Sequence, residues 1–196
     1  MPNSIWSAVF RPVMAGAALL FAHGARGQDI AEKAAACAGC HGESGNSRLE
    51  NTPSLAGHPA PYLTIQLILF REEQRRHEVM TPIAKTLADE DIEQLAKFYA
   101  GLKREKAEGA VDTELAKRGE QIAAVHRCGT CHLPDYSGRE QIPRLAGQRR
   151  DYLLKTMRDY KAGVRSGLDG MMTEVLHEVP EEELQTLAAY LSAREP

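Results

Sequence analysis

The chain has 196 residues, of which 43% are hydrophobic and 26% charged, and its 24 basic and 27 acidic side chains give a formal charge of −3. This is the composition of an ordinary folded protein of one or two domains, and it excludes long disorder and collagen-like repeats. The acidic balance and an aromatic content of only 6% argue against a nucleic-acid partner, which calls for a basic face or stacking rings.

Residues 1–27 read as a signal peptide. Arg11 precedes an apolar run from Val13 to Ala22, and Ala25-Arg26-Gly27 supplies small residues at cleavage spacing before Gln28. An uncleaved membrane anchor is the alternative, but the run is about half of the ~20 residues needed to span a bilayer. Processing removes Arg11 and Arg26 and no acid, leaving 22 basic against 27 acidic side chains, a formal charge of −5. Nothing further along approaches the length and apolarity of a membrane helix, so the processed chain is expected to be water-soluble outside the cytoplasm, meeting a membrane only through a partner.

Asp29-Ile30-Ala31-Glu32 has the form of a capping box, predicting a helix that starts there and ends in Cys37-Ala38-Gly39-Cys40-His41. Pro59 and Pro61 suit the start of a helix containing Tyr62 to Arg71. Ile92, Leu95, Ala96 and Tyr99 share one face of a 3.6-period helix stopped by Gly101. The charged stretch Leu102 to Val111 then reads as a linker, set at 104–111 between domains 28–103 and 112–196, although Lys103 to Glu108 could instead extend the preceding helix as a solvated face. Asp112 can cap the next helix, which leads to Cys128-Gly129-Thr130-Cys131-His132. Leu184, Leu187, Ala188 and Leu191 form a last apolar face. No alternating strand run stands out, and the prediction is an all-α protein.

All four cysteines lie in two Cys-x-x-Cys-His frames. Two disulfides would close tiny loops and leave both histidines unexplained. A zinc ribbon places its pairs roughly 15–20 residues apart, whereas these are 91 apart, and thioredoxin-like sites need βαβ patterning that is missing. Covalent haem attachment uses every residue: Cys37, Cys40, Cys128 and Cys131 add to the porphyrin vinyl groups, while His41 and His132 become the proximal iron ligands.

The two halves repeat well beyond these frames. Pro53-Ser54-Leu55-Ala56-Gly57 returns as Pro143-Arg144-Leu145-Ala146-Gly147, Tyr62-Leu63 as Tyr152-Leu153, and Arg75 as Arg165, all displaced by 90. The final helical faces are displaced by 92, and carrying that displacement back pairs Met80-Thr81 with Met172-Thr173. Met80 and Met172 are therefore the candidate sixth ligands, since a His/Met pair gives iron a potential suited to electron carriage. Met171 is the neighbouring rival. Bis-His ligation through His77 or His177 would break the symmetry, and Met14 and Met157 read as fillers. His58, His77, His126 and His177 read as surface or packing residues.

On Cys-x-x-Cys-His-Gly at 37–42, Gly45-Asn46-Ser47, both Pro-x-Leu-Ala-Gly segments, the two arginines and Met80-Thr81-Pro82-Ile83-Ala84-Lys85, the chain resembles the dihaem cytochrome c4 family over essentially its whole processed length. The resemblance implies two tandem class I cytochrome c domains about a pseudo-twofold axis, two covalent haem c groups, and haem propionates near the interface. It implies electron transfer in the periplasm, free or peripheral to the inner membrane, from respiratory donors towards a terminal oxidase. Pro53 and Pro143 are then expected to accept the proximal imidazole hydrogen bond or line its pocket, with Arg75 and Arg165 as further pocket residues. A second reading is the cytochrome subunit of a flavocytochrome c-type sulfide dehydrogenase. A third is a haem enzyme, such as a peroxidase or a thiosulfate-oxidising cytochrome, which would need an open iron position.

The halves differ where they should matter. His132 is followed by Leu133 where His41 has Gly42, and Met172 by Thr173-Glu174-Val175 where Met80 has Thr81-Pro82-Ile83. The two haems should therefore have different midpoint potentials in a redox titration assigned by domain variants; coincident midpoints would count against inequivalent pockets.

Overall fold

The computed structural model describes residues 25–105, 111–168 and 170–195, with side chains from Ile30 onward. The signal-peptide reading, Met14 with it, lies outside the described residues except for the backbone of 25–27, as does 106–110 of the expected linker. Each half lays down helices in one order. The first half has α1 (Ala25–His41), α2 (Ala60–Arg71), α3 (Met80–Lys85) and α4 (Asp89–Ala100). The second has α5 (Thr113–Val125), α6 (Cys128–His132), α7 (Arg150–Lys161), α8 (Met171–His177) and α9 (Glu181–Ala193). Among the described residues there is no strand, only an isolated bridge between Arg139 and Ile142, and no helix is long and apolar enough to cross a membrane.

The packing repeats as the sequence does. Helix α4 is the floor for α1 and α2 as α9 is for α5 and α7, while α3 rests on α2 and α8 on α7. The floor helices bury the predicted faces: Ile92, Leu95, Ala96 and Tyr99 in one half, Leu184, Leu187, Ala188 and Leu191 in the other. Full burial of a large aliphatic side chain such as Ile92 or Leu184 contributes about 1.5–3 kcal/mol. Met157 is buried in the second core.

Helix ends follow the local chemistry with two exceptions. Asp112 caps α5 by accepting from the backbone N–H groups of Glu114 and Leu115 at 3.0 and 2.9 Å, and Pro59 stands at the N-cap of α2. Asp29, in contrast, does not cap α1: the helix is already formed at Ala25, and a cap needs a residue that is still outside the helix. The second motif also does not continue its preceding helix. Arg127 takes a left-handed conformation (φ 54°), and a separate short helix, α6, carries Cys128 to His132.

Gly119 sets the approach of α5 to α9. A Cβ there would overlap Cβ of Tyr190 and lie 2.7 Å from its Cγ. Alanine is worth roughly 0.8–1.0 kcal/mol over glycine within a helix, but overpacking a tight contact costs about 1–3 kcal/mol, so the clash should win. We predict that Gly119→Ala lowers the denaturation midpoint of the haem-loaded protein; a neutral or raised midpoint would show that the two helices can part without cost.

Candidate functional site

Both motif histidines are buried at helix ends, and each is held by a carbonyl from the following loop. His41 Nδ1 lies 2.9 Å from the Pro53 carbonyl and His132 Nδ1 lies 2.9 Å from that of Pro143. A carbonyl only accepts, so Nδ1 carries the proton in both rings and Nε2 keeps its lone pair for a metal. Burial lowers both histidine pKa values, against an opposing pull from the proline carbonyl, and the neutral ligand form prevails. Cys37 and Cys128 are half-buried against their cores, and burial pushes both thiols up. Cys131 is half-buried and Cys40 exposed.

The loops place these carbonyls by a repeated clasp. The Gly45 carbonyl accepts from Leu55 and Ala56 N–H at 2.7 and 3.0 Å, as that of Tyr136 does from Leu145 and Ala146 at 2.8 and 3.1 Å. Gly57 N–H then donates to Tyr99 O at 3.0 Å, and Gly147 to Leu191 O at 3.2 Å, tying each loop to its floor helix.

Those pairings reveal an exchange of bulk between the halves. Gly42 and Gly45 have φ of 82° and 71°, and their counterparts Leu133 and Tyr136 hold φ of 70° and 58°, a backbone cost of order 1–3 kcal/mol at each non-glycine position. In the first half the ring comes from the helix: Tyr99 donates to Ala34 O at 3.2 Å and fills the place where a Cβ on Gly45 would come 2.9 Å from its Cδ1. In the second half the helix offers Leu191 and the loop supplies the ring, with Tyr136 packed edge-on to Tyr190 at 5.9 Å.

The methionines stand at the heads of matching short helices. Met80 opens α3 and is half-buried. In α8, Met172 is partly buried against the second core, whereas Met171 is 50% exposed. The turn before α3 is tied by His77, whose Nδ1 accepts from Val79 and Met80 N–H at 3.2 and 3.3 Å, so that nitrogen is already engaged. His177 is exposed at the end of α8, and His126 pairs with Glu183 at 3.0 Å.

His58 packs at an interface that joins the halves. It is buried, with Nδ1 accepting from Arg144 N–H at 3.2 Å and Nε2 3.2 Å from the Gln148 amide. Burial, then the charges of Arg104 and Arg144, lower its pKa well below the usual range. Gln148 accepts from Ser54 N–H and donates to Ser54 O, both at 2.9 Å. Arg104 reaches back to Ala56 O and Ser54 O at 2.7 and 3.1 Å; desolvation draws its pKa down to about 9. Asp151 and Arg149 add bonds to Asn51 N–H at 2.8 Å and Ser47 O at 3.3 Å.

Arg75 and Arg165 meet beside this seam. Arg75 donates to Gln66 Oε1 at 2.6 Å and Tyr152 Oη at 3.2 Å. Arg165 donates to Tyr152 Oη, Thr156 Oγ1, Tyr62 Oη and Gln66 Oε1 at 3.2–3.4 Å. Positions displaced by 90 therefore meet one another (58 with 148, and the 62, 75, 152, 165 group), as residues beside a pseudo-twofold axis must. Sequence reasoning missed Gln66, Gln148, Arg104 and the pairing of the tyrosines, although the recurrence of Tyr62 at Tyr152 was the signal available.

The residues fit two haem c groups. Each half offers two thiols and an imidazole with Nε2 available. Arg165 Nε and Arg104 Nη1 are buried and have no hydrogen-bond partner among the described residues.

Comparison with known proteins agrees with this geometry. Residues 22–98 and 114–191 match the family model described as cytochrome c oxidase, cbb3-type, subunit III. The chain is 33% identical over 166 residues to cytochrome c4 of Thiocapsa roseopersicina, covering 79% of this chain and 85% of that one. It is also 33% identical over 173 residues to a thiosulfate dehydrogenase electron acceptor of Thiomonas intermedia, covering 83% and 80%. The crystal structure of reduced recombinant cytochrome c4 from Pseudomonas stutzeri superposes with a TM-score of 0.79 at 28% identity, covering 86% of this chain and 98% of that one. With two covalent haem c groups on two tandem all-α domains, the chain belongs to the cytochrome c4 family of electron carriers.

Proposed function

We propose that this protein is a periplasmic carrier that takes electrons from a respiratory donor or dehydrogenase and delivers them to a terminal oxidase or comparable acceptor. In this reading the haem of the first half is bound by Cys37 and Cys40 and ligated by His41 and Met80, and that of the second by Cys128, Cys131, His132 and Met172. The observation that carries it is the duplicated set: two imidazoles with the same proline-carbonyl bond at 2.9 Å, each followed by a methionine at the head of a matching helix. When bound, haem supplies a reversible one-electron iron couple. The chain's own part is to fix each ring's orientation and tautomer, shield the site from water with the cores, and hold two centres side by side.

Exposed apolar side chains stand close in sequence to each methionine: Val79 and Ile83 beside Met80, and Leu168 and Met171 before Met172. Glu73, Arg76 and Glu78 border the first group. Small apolar patches with charged rims suit brief docking and rapid release of redox proteins. The kinship to a thiosulfate dehydrogenase electron acceptor favours, as a second reading, a sulfur-compound dehydrogenase as the donor.

The pyridine adduct of the periplasmically matured protein should report two c-type haems per chain, and neither reduced haem should bind carbon monoxide. Met80→Ala and Met172→Ala should each open one iron, giving carbon monoxide binding at half the haem and a lowered potential there alone. Rapid binding to the undamaged wild-type protein would move the assignment to a haem enzyme. An unchanged Met172→Ala protein, alongside a Met171→Ala protein that binds the gas, would shift the ligand by one residue.

A further inference from the structure

The short helix that carries Met80 is held at both ends. At its foot Ala84 is fully buried and Lys85 pairs with Glu73 of the turn after α2. At its head four hydrogen bonds run to one residue, His77. The ring Nδ1 accepts from the N–H groups of Val79 and Met80 at 3.2 and 3.3 Å, and the His77 carbonyl accepts from that of Thr81 at 3.0 Å. In return the His77 N–H donates to Thr81 Oγ1 at 2.9 Å. The next residue, Pro82, has no N–H to satisfy.

A helix leaves its first N–H groups without partners of its own. Those of Met80 and Thr81 are both met by His77, one by the ring and one by the main chain, so the backbone of Met80 is set by where the imidazole sits. The ring is placed in turn by an edge contact with Phe70 of α2, with 6.4 Å between centroids and 73° between planes, and Phe70 is buried. His77 and its neighbours from 76 to 79 are exposed, so the order of this turn comes from these bonds and not from burial. The second half is built differently. Gly167 stands at the position displaced by 90 from His77, and the start of α8 rests on the Gly170 carbonyl, which accepts from Thr173 and Glu174 N–H at 2.9 and 3.2 Å.

We propose that His77 is the positioning residue for the sixth ligand of the first haem: by gripping the Met80 N–H it holds the thioether on the iron and keeps that iron closed to outside ligands. This rests on the reading of Met80 as that ligand. An electron carrier must keep the same ligands in both oxidation states, because a methionine released in one of them has to rebind before the next transfer. His77 acts through the methionine, and the acting atom is the acceptor Nδ1, not the ring as a whole. Two substitutions separate these. Asn Oδ1 stands as many bonds from the backbone as His Nδ1 and accepts readily from N–H groups just ahead of it in the chain. Phe keeps a ring against Phe70 and has no acceptor.

The test compares the wild-type protein with His77→Phe and His77→Asn, each loaded with both haems, by the methionine–iron charge-transfer band of the ferric form, carbon monoxide binding to the ferrous form and the two midpoint potentials. In His77→Phe the balance between bound and released Met80 should move roughly tenfold or more towards release, the size expected for two lost hydrogen bonds. Carbon monoxide should then bind faster and the potential should fall at the first haem alone, with the second haem as the control inside the same molecule. His77→Asn should restore the wild-type values, and Thr81→Val, which removes the acceptor of the His77 N–H, should give a weaker loss in the same direction. The proposal is overturned if His77→Phe leaves the first haem unchanged, if His77→Asn is as impaired as His77→Phe, or if both haems change together, which marks a general loss of structure. Met80→Ala reports separately on the ligand reading: if the first haem keeps its band and potential in that variant, Met80 is not the ligand and the proposal falls with it, whereas a lost band beside an unaffected His77→Phe protein removes the proposal alone.

Discussion

The bond from a buried imidazole Nδ1–H to a proline carbonyl is the constraint on which each half depends. It fixes which nitrogen is free and which way the ring turns, and a bond of this kind also raises the ligand's basicity. A proline carbonyl can be placed there only if the loop before it is closed, which is the work of the Gly45 and Tyr136 carbonyl clasps. The loop in turn needs an anchor, supplied by α4 and α9 through Gly57 and Gly147. Core, clasp and ligand thus form one chain of dependence, repeated with the same polarity in both halves.

The repetition is not copying. Leu133 and Tyr136 keep the backbone path of Gly42 and Gly45 without glycine's freedom, so the second half retains the geometry against strain and recovers packing from the Tyr136 ring. Both sites keep the histidine bond at the same length while the walls behind it differ. That combination preserves the chemistry of an electron centre and varies its surroundings, the usual route by which a protein separates two otherwise equal potentials.

Much of this could be read before any coordinates. The Asp112 cap, the apolar faces of α4 and α9 and the buried Met157 follow from local chemistry and periodicity. What stayed hidden depends on partners distant in sequence. The exchange of Tyr99 for Tyr136 needs two loop and helix positions considered together, and neither alone looks unusual. Gln66, His58, Gln148 and Arg104 resemble incidental polar residues until the opposite half supplies their partners. The early start of α1 escaped because a plausible cap at Asp29 says nothing of whether the chain before it is already helical.

The joint between the halves is itself unequal. Ser54 and Arg144 are counterparts, as are His58 and Gln148, and each backbone N–H donates to the opposite side chain. Only the amide of Gln148 can also return a proton donor to the facing carbonyl while accepting from the facing N–H. Two identical chains meeting here would oppose His to His, losing that two-way grip, or Gln to Gln, crowding two amides that already have full use of their polar atoms. Within one polypeptide the two equivalent positions need not carry the same residue. One of them can then grip the facing backbone in both directions while the other accepts a single bond, an unequal seam that identical subunits related by a twofold axis could not form.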